Sequence, residues 1–149
     1  MKTTIACISD LHGTLADTTH KCDILVIAGD ICPATNHTLD FQSRWLRTDL
    51  GPWLDRQPAA KIIATWGNHD WIGERAPDLV PSWLRWTMLS DERVEYRGLK
   101  FWGSPWQKRF MDGAFNFRPP FLSLNSQHHG RRTSKAQALS DGQPSHSDA

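Results

Sequence analysis

Six residues in three short clusters carry most of the chemistry in this sequence. Asp10 and His12 stand in Asp10-Leu11-His12-Gly13, Asp30 follows Gly29, and Asn68, His69 and Asp70 follow Gly67. Carboxylates, imidazoles and an amide together are hard and borderline ligands of the kind that divalent metals take. If Asp10 and Asp30 converge to about 4 Å, their charges repel by roughly 4 kcal/mol at an effective dielectric of about 20. A divalent cation between them turns that repulsion into attraction, so the set asks for a metal rather than for acid–base work alone. Taken singly, each carboxylate reads more readily as a turn former or helix cap, and a lone histidine as a surface group. Only the joint pattern argues for a site.

Each cluster closes an apolar run. Residues 2–8, residues 23–28 and residues 60–66 read as strands, the last two nearly continuous in apolar character and the first with small residues around Ile5 and Ile8, as in strands covered on both faces. Three strands that deliver polar residues at their carboxyl ends describe the ligand-binding edge of an open α/β sheet. Between the second and third, Leu39, Trp45, Leu46 and Leu50 recur at helical spacing. The spacing predicts a helix over 39–50, with Thr38 as N-cap and Asp40 in the first turn. Gly51-Pro52 should end it, with Pro52 opening a further short turn that carries Trp53 and Leu54. Residues 71–80 read as loop, 81–86 as a short helix and 87–89 as a brief strand. Val94–Tyr96 and Leu99–Trp102 form a hairpin that turns at Arg97-Gly98. Trp45, Trp53, Trp83 and Trp86 are expected in the core or on a helix face. Trp66 and Trp71 bracket the third cluster and are candidate walls of a substrate pocket, while His20 and His37 read as surface.

Asp10-Leu11-His12, Gly29-Asp30 and Gly67-Asn68-His69-Asp70, in that order at three strand ends, resemble the first three motifs of the calcineurin-like metallophosphoesterases. The resemblance implies the N-terminal part of that family's αββα sandwich over residues 1–118, and two divalent metal ions, of which Mn, Fe, Zn and Mg all suit the donors. By the same resemblance Asp10 and His12 ligate the first ion, Asp30 bridges both and Asn68 ligates the second. His69 serves the leaving group as proton donor or phosphate stabiliser, Asp70 orients His69, and Asn68 and His69 contact substrate. Such two-metal sites activate a water to a pKa on the order of 7 for attack on phosphorus. Gly103-Ser104-Pro105-Trp106-Gln107, Phe110, Asp112 and Ala114-Phe115-Asn116 resemble the MPPED-like subgroup, which implies phosphodiester hydrolysis, cyclic nucleotides included. Gly29-Asp30-Ile31-Cys32-Pro33 lacks the Asp-Arg-Gly of protein phosphatases.

The family's two downstream histidine motifs are missing. Residues 123–149 contain no Ile, Val, Phe, Trp, Tyr or Met, so 119–149 is expected to be a disordered tail on a truncated domain. The alternative to an enzyme acting on a small phosphate ester is therefore a non-catalytic remnant with a partial metal site. At 149 residues with eight Trp, the chain has the makings of one globular domain. Its formal charge of +1 gives no reason to expect a nucleic acid or an anionic membrane as partner. Three cysteines without a Cys-X-X-Cys, and a start with no apolar leader, fit reduced thiols and a cytoplasmic location.

Overall fold

The computed structural model describes residues 2–16 and 20–117, which fall in the first of two units of the chain, Met1–Arg118. The expected tail over 119–149 lies outside the described residues. Four parallel strands form the main sheet in the order β1 (Ile5–Ile8), β2 (Cys22–Ala28), β3 (Ala59–Thr65) and β4 (Thr87–Met88). The α/β class and parallel sheet are those expected. Ile5 stands opposite Ile24, and Leu25 opposite Ile62, so odd and even positions sort cleanly to two faces.

One face is covered by the long connection from β2 to β3. Leu25, Ile27, Ile62 and Ala64 pack there with Trp45, Leu46, Leu50, Trp53 and Leu54 in a single buried cluster. Each fully buried apolar side chain of this size contributes about 1.5–3 kcal/mol. The other face is covered by a hairpin, β5 (Glu92–Tyr96) and β6 (Leu99–Gly103), whose Val94, Tyr96 and Phe101 pack on Ile24, Ile63 and Leu89. Arg97 and Gly98 turn it with φ of 52° and 76°, the two positive values that a type I′ turn needs. Arg97 also pairs with Asp23 at the start of β2, tying the hairpin tip to the sheet. The cover stops short of β1, the edge strand: Ile5 and Cys7 are exposed while Ala6 and Ile8 are half-buried, so β1 is covered on one face rather than two.

The helical connection departs from the expected stop at Gly51-Pro52. Helix α1 (Leu39–Trp45) runs through a π-type turn at Leu46–Leu50 straight into α2 (Gly51–Arg56). Proline has no N–H to donate and its ring crowds the carbonyl one turn back. The widened turn before it, in which Gly51 N–H reaches the Leu46 carbonyl, absorbs that mismatch without ending the helix. Thr38 occupies the N-cap position, but its hydroxyl donates to Asn36 and makes no cap bond.

Residues 71–80, expected as loop, hold a short helix α3 (Trp71–Arg75) and a 3₁₀ turn over Pro77–Leu79. The expected helix at 81–86 is absent, and that segment is a string of turns. Two short strands, β7 (Gln107–Lys108) and β8 (Asn116–Phe117), pair beyond the hairpin. Trp45 and Trp53 are buried as expected, while Trp83 is 55% exposed.

Arg85, within the turns, fixes the end of the helical layer. Its guanidinium donates to the carbonyls of Leu54, Gln57 and Ala59, where α2 gives way to β3. Arg85→Ala should leave these carbonyls short of donors and cost about 2–3 kcal/mol. The expected reading is a lower urea midpoint at unchanged slope. Arg85→Lys should recover only part, because one ammonium lacks the planar fork.

Candidate functional site

The carboxyl ends of β1, β2 and β3 lie on one edge, and each releases one of the three clusters. Backbone bonds continue the sheet pattern past the strands: Asp10 N–H donates to Gly29 O, His12 N–H to Asp30 O, and Gly13 N–H to Ile31 O. Asp10, His12 and Asp30 have φ of 54°, 44° and 51°, the left-handed region. For side-chain-bearing residues that conformation costs about 1–2 kcal/mol each, least for short polar types. Strain of this kind persists where the surroundings over-determine it, and the surroundings here are specific.

Asp70 is fully buried, and backbone amides occupy both its oxygens. Ile31 and Cys32 donate to Oδ1 at 3.0 and 2.7 Å, and Gly67 to Oδ2 at 2.7 Å. Burial pushes this carboxyl above its ordinary range, against the pull of the Cys32, Gly67 and Ile31 amides, which favour the ionised form. Asp70 thus binds the loop after β2 to the loop after β3. The expected action on the His69 ring gives way to an action on two backbones, because the side chain points into the protein. Cys32, buried beside it, has its thiol pushed far up by burial and then by the Asp70 charge, which makes it an inert packing group.

Two further contacts close the arrangement. Asp30 Oδ1 accepts the His69 amide at 2.9 Å. Gln42, fully buried on α1, donates to His69 O at 2.7 Å and accepts the Ile72 amide at 2.8 Å. Gly67 is required by close approach, since a Cβ there would come within 2.2 Å of Asp30 N and 2.4 Å of Asp30 Oδ1.

These constraints bring His12, Asp30 and His69 together. One potential ligand atom from each lies within 4.8 Å of the other two, the one such group of His, Cys, Asp and Glu among the described residues. His12 Nε2 is 3.9 Å from Asp30 Oδ2, and the His12 and His69 rings meet edge-on with centroids 4.7 Å apart. Two imidazoles and a carboxylate fit a first-row or zinc-like divalent ion. Asp10 stands at the same strand end, exposed, outside that group of three. Asn68 lines a cavity of about 300 Å³ with His37, His69 and Trp71. Trp71 and Met111–Gly113 also border a groove of about 800 Å³, where Arg75 stacks 4.0 Å over the Trp71 ring. Of the two bracketing tryptophans, Trp71 walls the pocket and Trp66 is buried against Trp86.

His37, read from the sequence as surface, is exposed and also touches the site: its Nε2 lies 3.1 Å from His69 Nδ1. Burial holds the His69 imidazole below its ordinary range; Asp30 opposes this, and His12 and His37 add to it. Nothing in the spacing of His37 announces it. Gln42 did leave a signal, a polar residue set within the apolar stripe formed by Leu39, Trp45 and Leu46.

A comparison with known families matches residues 3–141 to the calcineurin-like phosphoesterases. The chain belongs to that family. Membership carries metal-dependent hydrolysis of phosphate esters as the general chemistry, and the clustered donors of this phosphoesterase suit the metal. The match continues into the segment beyond residue 118. A search of curated proteins finds no match. No helix among the described residues is long and apolar enough to cross a membrane.

Because amides claim both Asp70 oxygens, Asp70→Asn must turn an NH₂ toward backbone N–H groups. The expected cost is about 3 kcal/mol in chemical unfolding, mostly from buried donors left unpaired. A loss below about 1 kcal/mol would refute its role as the tie between the two loops.

Proposed function

We propose that this phosphoesterase hydrolyses phosphodiesters at a dinuclear metal centre, with its machinery in residues 1–118 and its affinities toward the MPPED-like subgroup. The observation that carries the reading is that His12 and Asp30, two of the assigned metal donors, converge at the carboxyl edge of a parallel sheet with the His69 ring beside them. Asp10 and His12 are assigned to one ion, Asn68 to the other, and Asp30 to both. Bound divalent ions supply an activated water near neutral pH and neutralise charge on the phosphate. The identity of the ions among Mn, Fe, Zn and Mg follows supply as much as affinity.

The protein's own residues do the rest. Asn68 and His69 line the 300 Å³ cavity, which has room for a phosphate group, and the adjoining groove receives the remainder of the ester. The neutral Asn68 amide contributes a donor oxygen without adding charge that repels the anionic substrate. His69 donates a hydrogen bond from its ring to the leaving-group oxygen and so stabilises the charge that develops there. Asp70 and Gln42 keep the His69 backbone in place while the ring works.

The second reading, a remnant with one partial site, draws on the fact that only three His, Asp, Glu or Cys donors gather so closely among the described residues. Calorimetric titration with Mn²⁺ or Zn²⁺ separates the two. Two tight ions together with hydrolysis of a bis-aryl phosphodiester support the enzyme; one weak ion without turnover supports the remnant.

Asp30→Asn should lower kcat/KM for that diester at least about a thousandfold, or roughly 4 kcal/mol of transition-state stabilisation, with the unfolding midpoint little changed. Retained activity would remove Asp30 from its assigned place. His69→Ala should slow esters with poor leaving groups by about 10²–10⁴ and those with good ones far less. Equal slowing of both would refute the leaving-group role.

A further inference from the structure

One side chain at this site belongs to none of the three motifs. His37 stands on the loop between β2 and α1, seven positions after Asp30. An Asx turn holds this loop, with Asn36 Oδ1 accepting from Thr38 N at 2.9 Å and from Thr38 Oγ at 2.8 Å. His37 Nε2 lies 3.1 Å from His69 Nδ1, and the two rings are tilted by 59° with centroids 5.2 Å apart. Two imidazole nitrogens at this distance share one proton, since two facing lone pairs or two facing N–H groups repel. His69 Nδ1 is thereby committed, and Nε2 is the one ring nitrogen left for a substrate oxygen. The other anchors of His69, its amide on Asp30 Oδ1 and its carbonyl on Gln42 Nε2, act on the backbone and leave the ring free to rotate. Among these hydrogen bonds, only the one to His37 fixes the ring.

We propose that His37 is a positioning residue for His69. Its Nε2–H donates to His69 Nδ1, which sets the ring orientation and selects the His69 tautomer that carries its hydrogen on Nε2. That tautomer presents a donor to the leaving-group oxygen; the opposite one presents a lone pair. The proposal rests on the leaving-group role assigned to His69 above. An orienting partner on the second nitrogen is a general device for fixing which imidazole nitrogen does the chemistry.

Tautomer spectra and ester kinetics on the full chain test it. In metal-free protein, ring ¹⁵N–¹H correlation spectra at a pH where the imidazoles are neutral should show His69 as the Nε2–H tautomer. In His37→Ala the same spectra should show a mixture of tautomers. With metal, His37→Ala should lose about tenfold on a diester with a poor leaving group and less than about twofold on one with a good leaving group. The double variant His37→Ala/His69→Ala should be no slower than His69→Ala alone. His37→Gln, whose side-chain amide can also donate to Nδ1, should restore most of the loss. An unchanged His69 tautomer in His37→Ala, equal losses on both esters, or additive losses in the double variant would overturn the proposal. His37 is exposed, so an unfolding midpoint close to that of the unsubstituted protein is expected and excludes a folding defect. If the unsubstituted protein hydrolyses no diester, the hydrolase reading fails, and the tautomer spectra still decide whether His37 governs the ring.

Discussion

A single buried carboxylate, Asp70, holds the edge of the sheet in the form that chemistry there requires. Three strands leave the sheet at this edge, and their loops would diverge without a common anchor. Asp70 sits between the loops after β2 and β3, and takes the amides of Ile31, Cys32 and Gly67. A carboxylate far from water is costly unless its oxygens are bonded, and here backbone donors rather than a cation satisfy them. The choice of donors matters for function. An Arg or Lys at this point would add positive charge behind the metal donors, whereas amides supply the bonds and leave the field of the site to Asp30.

The remaining contacts extend that anchor outward in steps. Asp30 accepts the His69 amide, so the second cluster grips the third directly. Gln42 reaches from α1 to His69 O and Ile72 N, so the helical layer grips the same loop from behind. The π-type turn keeps α1 and α2 in one continuous run, and Trp45, Leu46 and Leu50 stay on the sheet face as α1 hands over to α2. The core and the site are therefore coupled through one side chain. Damage to the packing under α1 reaches His69 through Gln42 without passing through any metal donor.

The strands and the edge where they end were legible because both depend on local pattern. Apolar runs at Asp23–Ala28 and Ala60–Trp66 closed by Gly-Asp and Gly-Asn-His-Asp leave few alternatives, and the Arg97-Gly98 turn is marked by a glycine between two alternating runs. The turn that Pro52 opens with Trp53 and Leu54 was legible, but its continuity with α1 was not. Proline reads as a stop, and only the three-dimensional packing of Trp53 and Leu54 makes a widened turn cheaper than an end. Trp83 carried the same apolar signal as Trp53 yet lies exposed, since periodicity marks a face without saying whether a neighbour covers it. Within the site, residue types were readable and pairings were not. Asp70 was expected to serve its neighbour in sequence, His69, but a side chain next in line on a sharp loop points elsewhere. His37 became a partner of His69 through a fold of the loop that no spacing encodes.

The same pairings bear on how the site meets its metal. In small zinc domains the ion assembles the fold, and the unfolded ligands come together only when it binds. Here the three left-handed residues are held by protein bonds alone: Asp10 by Gly29, His12 by the Asp30 carbonyl, and Asp30 by the His69 amide and the space above Gly67. Their strain, about 1–2 kcal/mol at each position, is met by the sheet, the Asp70 tie and the helical layer. An ion would then encounter donors already gathered and would spend little of its binding free energy on ordering backbone. That energy remains for the charge that develops on phosphorus-bound oxygens, where it lowers a barrier instead of building a loop.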